Sequence, residues 1–287
     1  MSLPSRRRVT ELLIANLGRD RSPLRHALAG AVTVMQYALG WRFSRRLRAP
    51  LTSEVAGWLR EVETTGYCVV QDFLDRATCE RWSAELDRVF VEYPEHVQRK
   101  SDQRVFGVEA VSGPLRTFAE DPRLLVCAES MLRASVVNAF TLGARIAYAP
   151  GNKGSGEGWH RDSFVVQFKA LLYLSDVAAG CGPFQLIANS QRLPRLVADM
   201  LCGRLGLQQN RIGDDQIARL LADDPSRLRT FTARAGTLLL VNTSAIHRGE
   251  PIAHGTRYAL TNYYVERERA GAAMDAHFAP VLRARGQ

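Results

Sequence analysis

Trp159-His160-Arg161-Asp162 is the stretch around which the chain organises. A His and an Asp two residues apart on an extended segment project from the same face, because strand side chains alternate with a period of two. Both can grip one divalent ion. Two ligands leave such an ion short of coordination, so another donor must come from elsewhere, and His247 in Asn242-Thr243-Ser244-Ala245-Ile246-His247-Arg248-Gly249 is the candidate. Two histidines and one carboxylate form the facial triad that suits non-haem Fe(II) and leaves positions open for a cosubstrate and O2. A His-x-Asp triplet is common by chance, so its surroundings must carry the reading.

Immediately upstream, glycines 151, 154, 156 and 158 make a loop leading out of a strand. That strand runs through the alternating Val136, Asn138, Phe140 and Leu142 into Ala144-Arg145-Ile146-Ala147-Tyr148 and ends at Pro150. Downstream, Val166, Phe168, Ala170, Leu172 and Leu174 alternate with Gln167, Lys169 and Tyr173, as a partly buried strand would. Gly180-Cys181-Gly182-Pro183 turns the chain into Phe184-Gln185-Leu186-Ile187. The stretch from Leu193 to Leu228 reads as a helical and loop insertion, broken at Asp223-Asp224-Pro225. Gly236 then opens Thr237-Leu238-Leu239-Leu240-Val241, the strand expected to deliver His247, and Tyr258 to Val265 reads as another.

The amino-terminal part is helical scaffold. Thr52-Ser53-Glu54 caps a helix containing Val55, Trp58 and Val62, and Tyr67-Cys68-Val69-Val70 is strand-like. Trp82, Leu86, Val89 and Phe90 recur at helical spacing between Arg76 and Val91, and another helix spans Pro122 to Met131. Between Tyr93 and Asp121 the periodicity is weak, and loops and short strands are expected. Helices first and strands afterwards imply an α+β protein whose catalytic half is a strand-rich barrel or sandwich.

Length and composition agree with one folded domain: 287 residues, 46% hydrophobic and 23% charged. The net charge of +9 is concentrated at the start, where arginines 6, 7, 8, 19, 21, 25, 42, 45, 46 and 48 crowd residues 1 to 50. We divide the chain into this basic amphipathic arm, 1 to 50, and a single domain, 51 to 287. Within the arm, Ala27 to Trp41 is mostly apolar, yet it is too short to cross a bilayer and too far in for an ordinary signal sequence. It suits a helix lying on the protein or on an anionic membrane surface. Aromatic residues meet the basic ones only at Trp41-Arg42-Phe43 and not in the repeated pattern of a single-strand nucleic-acid platform, so nucleic acid is not expected as a partner. Five widely spaced cysteines without a Cys-x-x-Cys pair suggest neither a disulfide framework nor a zinc knuckle. They fit a reducing cytoplasm, with peripheral membrane contact through the arm.

Arg257 lies ten residues beyond His247 at the start of a strand, where a buried guanidinium could clamp a carboxylate through two parallel hydrogen bonds. At this point a resemblance becomes specific. His160-x-Asp162, then a strand, Gly182-Pro183-Phe184, a Gly236-led strand, His247-Arg248-Gly249, Pro251 and Gly255-Thr256-Arg257-Tyr258 follow the order seen in the phytanoyl-CoA dioxygenase family. Gly66-Tyr67-Cys68-Val69-Val70 through Asp87 resembles that family's opening, and the likeness spans roughly residues 52 to 267.

The family comprises Fe(II)- and 2-oxoglutarate-dependent oxygenases on a double-stranded β-helix, a jelly-roll, cupin-like core with flanking helices. The resemblance implies that His160, Asp162 and His247 bind Fe(II), and that Arg257 pairs with the distal carboxylate of 2-oxoglutarate. Arg145, on the strand before the glycine loop, is a further candidate for touching cosubstrate or substrate, against a structural ion pair. The implied reaction consumes O2, decarboxylates 2-oxoglutarate and hydroxylates an unactivated carbon. Asp162 matters here, because related halogenases carry a small residue at that point. One departure is Gly249, which stands where some relatives carry a serine that helps hold the cosubstrate. The substrate is expected to be a small molecule, anionic or lipid-like. The competing reading is a cupin-like metal- or ligand-binding module without catalysis. His26, His96, His254 and His277 are expected to be structural, and Trp159 either lines the pocket or packs against the barrel.

Overall fold

In the computed structural model, residues 51 to 99, 102 to 201, 205 to 206, 209 to 271, 278 and 281 to 283 are described. The basic arm, His26, Cys202 and His277 lie outside the described residues.

Helix α1, Ser53–Thr65, begins where the Thr52 hydroxyl accepts a hydrogen bond from the Val55 amide, and it buries Val55, Trp58, Leu59 and Val62 along one face. Strand β1, Tyr67–Val70, follows. Helix α2, Arg76–Glu92, is capped by Asp75 and buries Cys79, Trp82, Leu86, Val89 and Phe90. Strands β2, Gln98–Arg99, and β3, Gln103–Phe106, come next. Where the weak periodicity points only to loops and short strands, a short helix α3 forms at Gly113–Ala119. Its signals are local: the Ser112 side chain caps it, Pro114 sits in its first turn, and Leu115 and Phe118 bury its inner face. Helix α4, Pro122–Leu132, and the long strand β4, Val136–Ala147, complete the first half.

Beyond the glycine loop come β5, Phe168–Tyr173, and β6, Phe184–Ile187. The insertion supplies α5, Leu193–Leu201, and α6, Asp214–Leu221. Then follow β7, Leu228–Phe231; β8, Leu238–Asn242; β9, His247–Gly249; and β10, Thr256–Glu266. The strand led by Gly236 does not itself run on to His247. It stops at Asn242, a turn carries the chain across, and His247 opens β9 in a different sheet.

Seven strands form one antiparallel sheet in the order β1-β8-β5-β10-β4-β3-β2, and three form a second in the order β7-β6-β9. One face of the large sheet is covered by helices. Phe168, Ala170, Leu172, Leu238, Leu240, Leu260 and Tyr264 share a buried cluster with Trp58, Leu86 and Leu124 of the helices. The opposite face meets the small sheet, where Tyr173, Leu239, Val241 and Ala259 pack with Phe184, Leu186 and Phe231. This is a double-stranded β-helix with helices on one flank, as expected. Each fully buried large apolar side chain contributes about 1.5–3 kcal/mol, so the two packed faces hold the scaffold that fixes the site. Cys68, Cys79 and Cys127 are free thiols buried within the helix-side core. No described helix is long and apolar enough to cross a membrane.

Candidate metal centre

The Trp159 to Asp162 stretch lies alongside β9, and His160 is the direct cross-strand partner of His247. Each donates its main-chain N–H to the other's carbonyl at 2.9 Å, while the Asp162 amide donates to the Thr243 carbonyl at 3.1 Å. The alternation expected of an extended segment sorts the four side chains. Trp159 is buried with Ile187, Ile212 and Ile246, with the Arg248 guanidinium 4.4 Å from its ring centre, so it packs against the barrel. Arg161 turns away and donates to the carbonyls of Ser190 and Ser244 at 2.7 and 2.6 Å. His160 and Asp162 face inward together with His247.

The three inward donors offer one ligand atom each, all within 4.8 Å of one another. Nδ1 of His160 lies 2.9 Å from the Gly158 carbonyl, and Nδ1 of His247 lies 2.9 Å from the Ala245 carbonyl. A carbonyl only accepts, so each Nδ1 carries the proton and each Nε2 is left with its lone pair free for an ion. Burial disfavours charge on both rings, pulling His160 below its usual range and His247, beside His160, down to about 3. The rings are therefore neutral, as metal ligation requires. Burial works against the Asp162 carboxylate too, but the Lys169 ammonium leads the opposing influences, and the acid is held well below its usual range. A carboxylate and two neutral imidazoles converging from the backbone fit a divalent transition metal.

The donors open into a cavity of about 570 Å³, a size suited to a small molecule. Arg257 lines the same cavity from the start of β10. It is 4% exposed, and neither its Nε nor its Nη1 has a hydrogen-bond partner among the described residues. Burial pulls this guanidinium below its usual range, against the opposing influence of Tyr173 and Asp102. A buried cation with unsatisfied donors facing a cavity fits an anionic ligand there.

Arg145 is not brought to this group. It reaches Asp87 at 2.6 Å and Gln103 at 2.6 Å, lies 5.1 Å from the Phe90 ring centre, and does not line the cavity. Its place in the structure is an ion pair between β4 and α2, shared with the Tyr258 hydroxyl, which donates to Asp87 at 2.8 Å.

Two close approaches account for glycines near the site. Gly156 has φ +86°, and a Cβ there would stand 2.3 Å from the His160 ring. At Gly249 a Cβ would stand 2.7 Å from that of Ser155, which fills the space a side chain would need. The loop thus packs directly onto the His160 ring at Gly156 and onto β9 at Ser155.

Sequence reasoning passes over Lys169, whose ammonium lies 2.7 Å from Asp162 Oδ2 and 4.0 Å from the Tyr263 ring centre. It also passes over Asp102, buried and gripped by Arg104 and by the Ser155 hydroxyl at 2.8 Å. The signal that points to Lys169 is a lone cation inside the run Phe168-Lys169-Ala170-Leu171-Leu172-Tyr173, where burial is nearly continuous.

A double-stranded β-helix with two histidines and a carboxylate at the head of an internal cavity defines the class of the molecule. The chain belongs to the phytanoyl-CoA dioxygenase family, whose model matches residues 62–257. Its fold is shared by solved structures of low sequence identity. SnoN from nogalamycin biosynthesis, described as a non-haem alpha-ketoglutarate-dependent epimerase, is 18% identical over 75% of this chain and 84% of its own, with a TM-score of 0.56. HygX from Streptomyces hygroscopicus, solved with nickel and 2-oxoglutarate, is 21% identical over 76% and 88%, with a TM-score of 0.52. EctD from S. alaskensis, solved with iron, is 17% identical over 77% and 78%, with a TM-score of 0.55. No curated protein sequence matches the chain.

Proposed function

We propose that the chain is an Fe(II)- and 2-oxoglutarate-dependent dioxygenase that hydroxylates an unactivated carbon of a small molecule. The observation that carries this is the convergence on one cavity of a two-histidine, one-carboxylate cluster and a buried guanidinium with unsatisfied donors. In this reading His160, Asp162 and His247 hold the metal and Arg257 takes the distal carboxylate of 2-oxoglutarate. Iron with 2-oxoglutarate and O2 supplies the oxidising chemistry. The protein's own groups orient and exclude. The Gly158 and Ala245 carbonyls keep both imidazoles in the ligating tautomer, and Leu171, Phe184 and Val241 line the cavity with apolar surface. A non-catalytic metal module has no use for Arg257, whose burial without a partner is costly unless an anion arrives.

For the substrate, the lining favours an anionic or partly apolar molecule. Arg104, Arg211 and Arg269 join the cavity wall, on which Asp162 is the sole carboxylate among the described residues. Domain organisation follows the same reading: residues 51 to 287 form the oxygenase, and the basic arm of 1 to 50 lies outside it. We place the enzyme in the cytoplasm with the arm able to touch anionic lipid.

The test is succinate release from 2-oxoglutarate by the full chain with Fe(II), ascorbate and O2. Release that disappears in Asp162→Ala and His247→Ala, followed by a gain of one oxygen in a screened substrate, is expected. Fe(II) binding without succinate in any condition would move the chain to the binding-module reading. A product of unchanged oxygen content would replace hydroxylation with another outcome, such as desaturation or the epimerisation for which SnoN is named.

A further inference from the structure

Lys169 is the one cation placed against the ligand cluster among the described ion pairs, and nothing in the family reading requires it. Its residue is 8% exposed, and its ammonium has a single carboxylate partner among those pairs, Asp162. Two neighbours fix its direction. Lys169 and Tyr263 are register partners on β5 and β10, and the ammonium sits 4.0 Å from the centre of that Tyr263 ring. On the other side its register partner is Val241 of β8, which offers no acceptor side chain. A buried ammonium is expensive unless paired, so this one is committed to the carboxylate it meets.

The two oxygens of Asp162 are not equivalent as a result. Oδ1 is 3.7 Å from the free Nε2 of His160 and has no other partner in the described ion-pair network. Oδ2 is 3.8 Å from Nε2 of His247 and 2.7 Å from the Lys169 ammonium. A carboxylate can ligate a metal through one oxygen or both, and ligation through both would fill a position that the facial triad leaves open.

We infer that Lys169 is a positioning residue that caps Oδ2 of Asp162, limits this ligand to one-oxygen ligation through Oδ1, and so preserves an open coordination position. The inference rests on the metal-site reading above, but concerns a residue outside the ligand set. Its chemistry is hydrogen bonding alone, with no group transferred. A charged donor to the outer oxygen of a ligating carboxylate also fixes the plane of that carboxylate, which neither histidine can do.

The experiment uses the full chain loaded with Mn(II) alone, without 2-oxoglutarate, and reads water-proton relaxation, which reports the exchangeable water molecules on the bound ion. Wild type, Lys169→Met and Lys169→Arg are compared, each after Mn(II) affinity has been measured. With three protein ligands on a six-coordinate ion, three water positions are expected in the wild type. In Lys169→Met the freed oxygen closes one of them, lowering the relaxation enhancement by about a third, and Lys169→Arg restores it.

Equal enhancement in wild type and Lys169→Met overturns the inference while leaving the metal site intact. If the metal-only signal is unchanged and only 2-oxoglutarate affinity falls, Lys169 is a ligand contact and the inference fails. If the wild type binds no Mn(II) in a way that depends on His247, the metal-site reading fails and takes this inference with it. Should Lys169→Met not fold, a crystal structure of the wild type with Mn(II) decides. One Asp162 oxygen on the ion, with the other still within hydrogen-bond distance of Lys169, is the expected result; both oxygens on the ion would overturn it.

Discussion

Strands β5 and β10 present two faces that share a backbone and little else. On the helix side, Phe168, Ala170, Leu172 and Leu260 are completely buried and purely apolar. On the other side, Lys169, Leu171, Arg257, Thr261 and Tyr263 line the cavity. In most half-buried sheets a polar face marks solvent. Here it marks the inside of a barrel, where polar groups are held without partners or paired with one another for the sake of a ligand. The helix face holds the fold together, and the cavity face lowers its stability in exchange for chemistry.

Substitutions on the two faces should therefore differ in kind. The largest effect on stability is expected from Leu172→Ala, which empties a fully buried site on the helix side and costs about 2–5 kcal/mol in chemical denaturation, with metal affinity retained in the protein that remains folded. Equal losses of stability and metal binding would mean that the two faces are not separable. Next comes Gly249→Ser, where the new Cβ meets Ser155. Overpacking there should cost about 1–3 kcal/mol, and a serine accepted without loss would show that the loop can shift off β9.

Arg257→Met should act in the opposite direction on the cavity face. Removing a buried cation with unsatisfied donors is expected to raise the stability of the cosubstrate-free protein by about 1 kcal/mol, while 2-oxoglutarate affinity, read by calorimetry, falls by about tenfold or more. A destabilised Arg257→Met would place that guanidinium among the structural groups. The smallest change is expected for Thr261→Val, whose side chain has no described hydrogen bond. Its stability should stay within about 0.5 kcal/mol of wild type, and any effect should appear only in substrate selection.

Much of this contrast is legible in the sequence. The His160, Asp162 and His247 grouping is readable because an extended segment puts alternate residues on one side, and because the glycines, histidine and arginine downstream succeed one another in the family's order. The helices are readable wherever a cap precedes an apolar stripe, as at Thr52 and Asp75. Helix α3 escapes such a reading because its seven residues carry too few turns to show a period, although Ser112 and Pro114 mark its start. The strand led by Gly236 looks continuous with His247 because the Asn242 to Ile246 turn contains neither Gly nor Pro. That turn is made instead by the Asn242 side chain, whose Oδ1 accepts from both the amide and the hydroxyl of Ser244. Lys169 is visible as a polar residue but not as an interior one, since alternation reports two faces without saying which of them is wet. Arg145 illustrates the same limit, because the partners that occupy it, Asp87 and Gln103, lie 58 and 42 residues away in sequence.

The reciprocal main-chain bonds between His160 and His247 have a consequence for how such a molecule can change. The spacing of the two imidazoles is set by a backbone ladder and not by side-chain packing from the neighbouring loops. Within the helical insertion, Asn210 to Ile212 are tied to the seat, because they bond to the main chain of Trp159 and Arg161, whereas α5 lies outside that ladder and can lengthen, shrink or be exchanged without altering the grip on an ion. The metal seat is conservative in its construction, and the walls around it are free to be rebuilt for new clients.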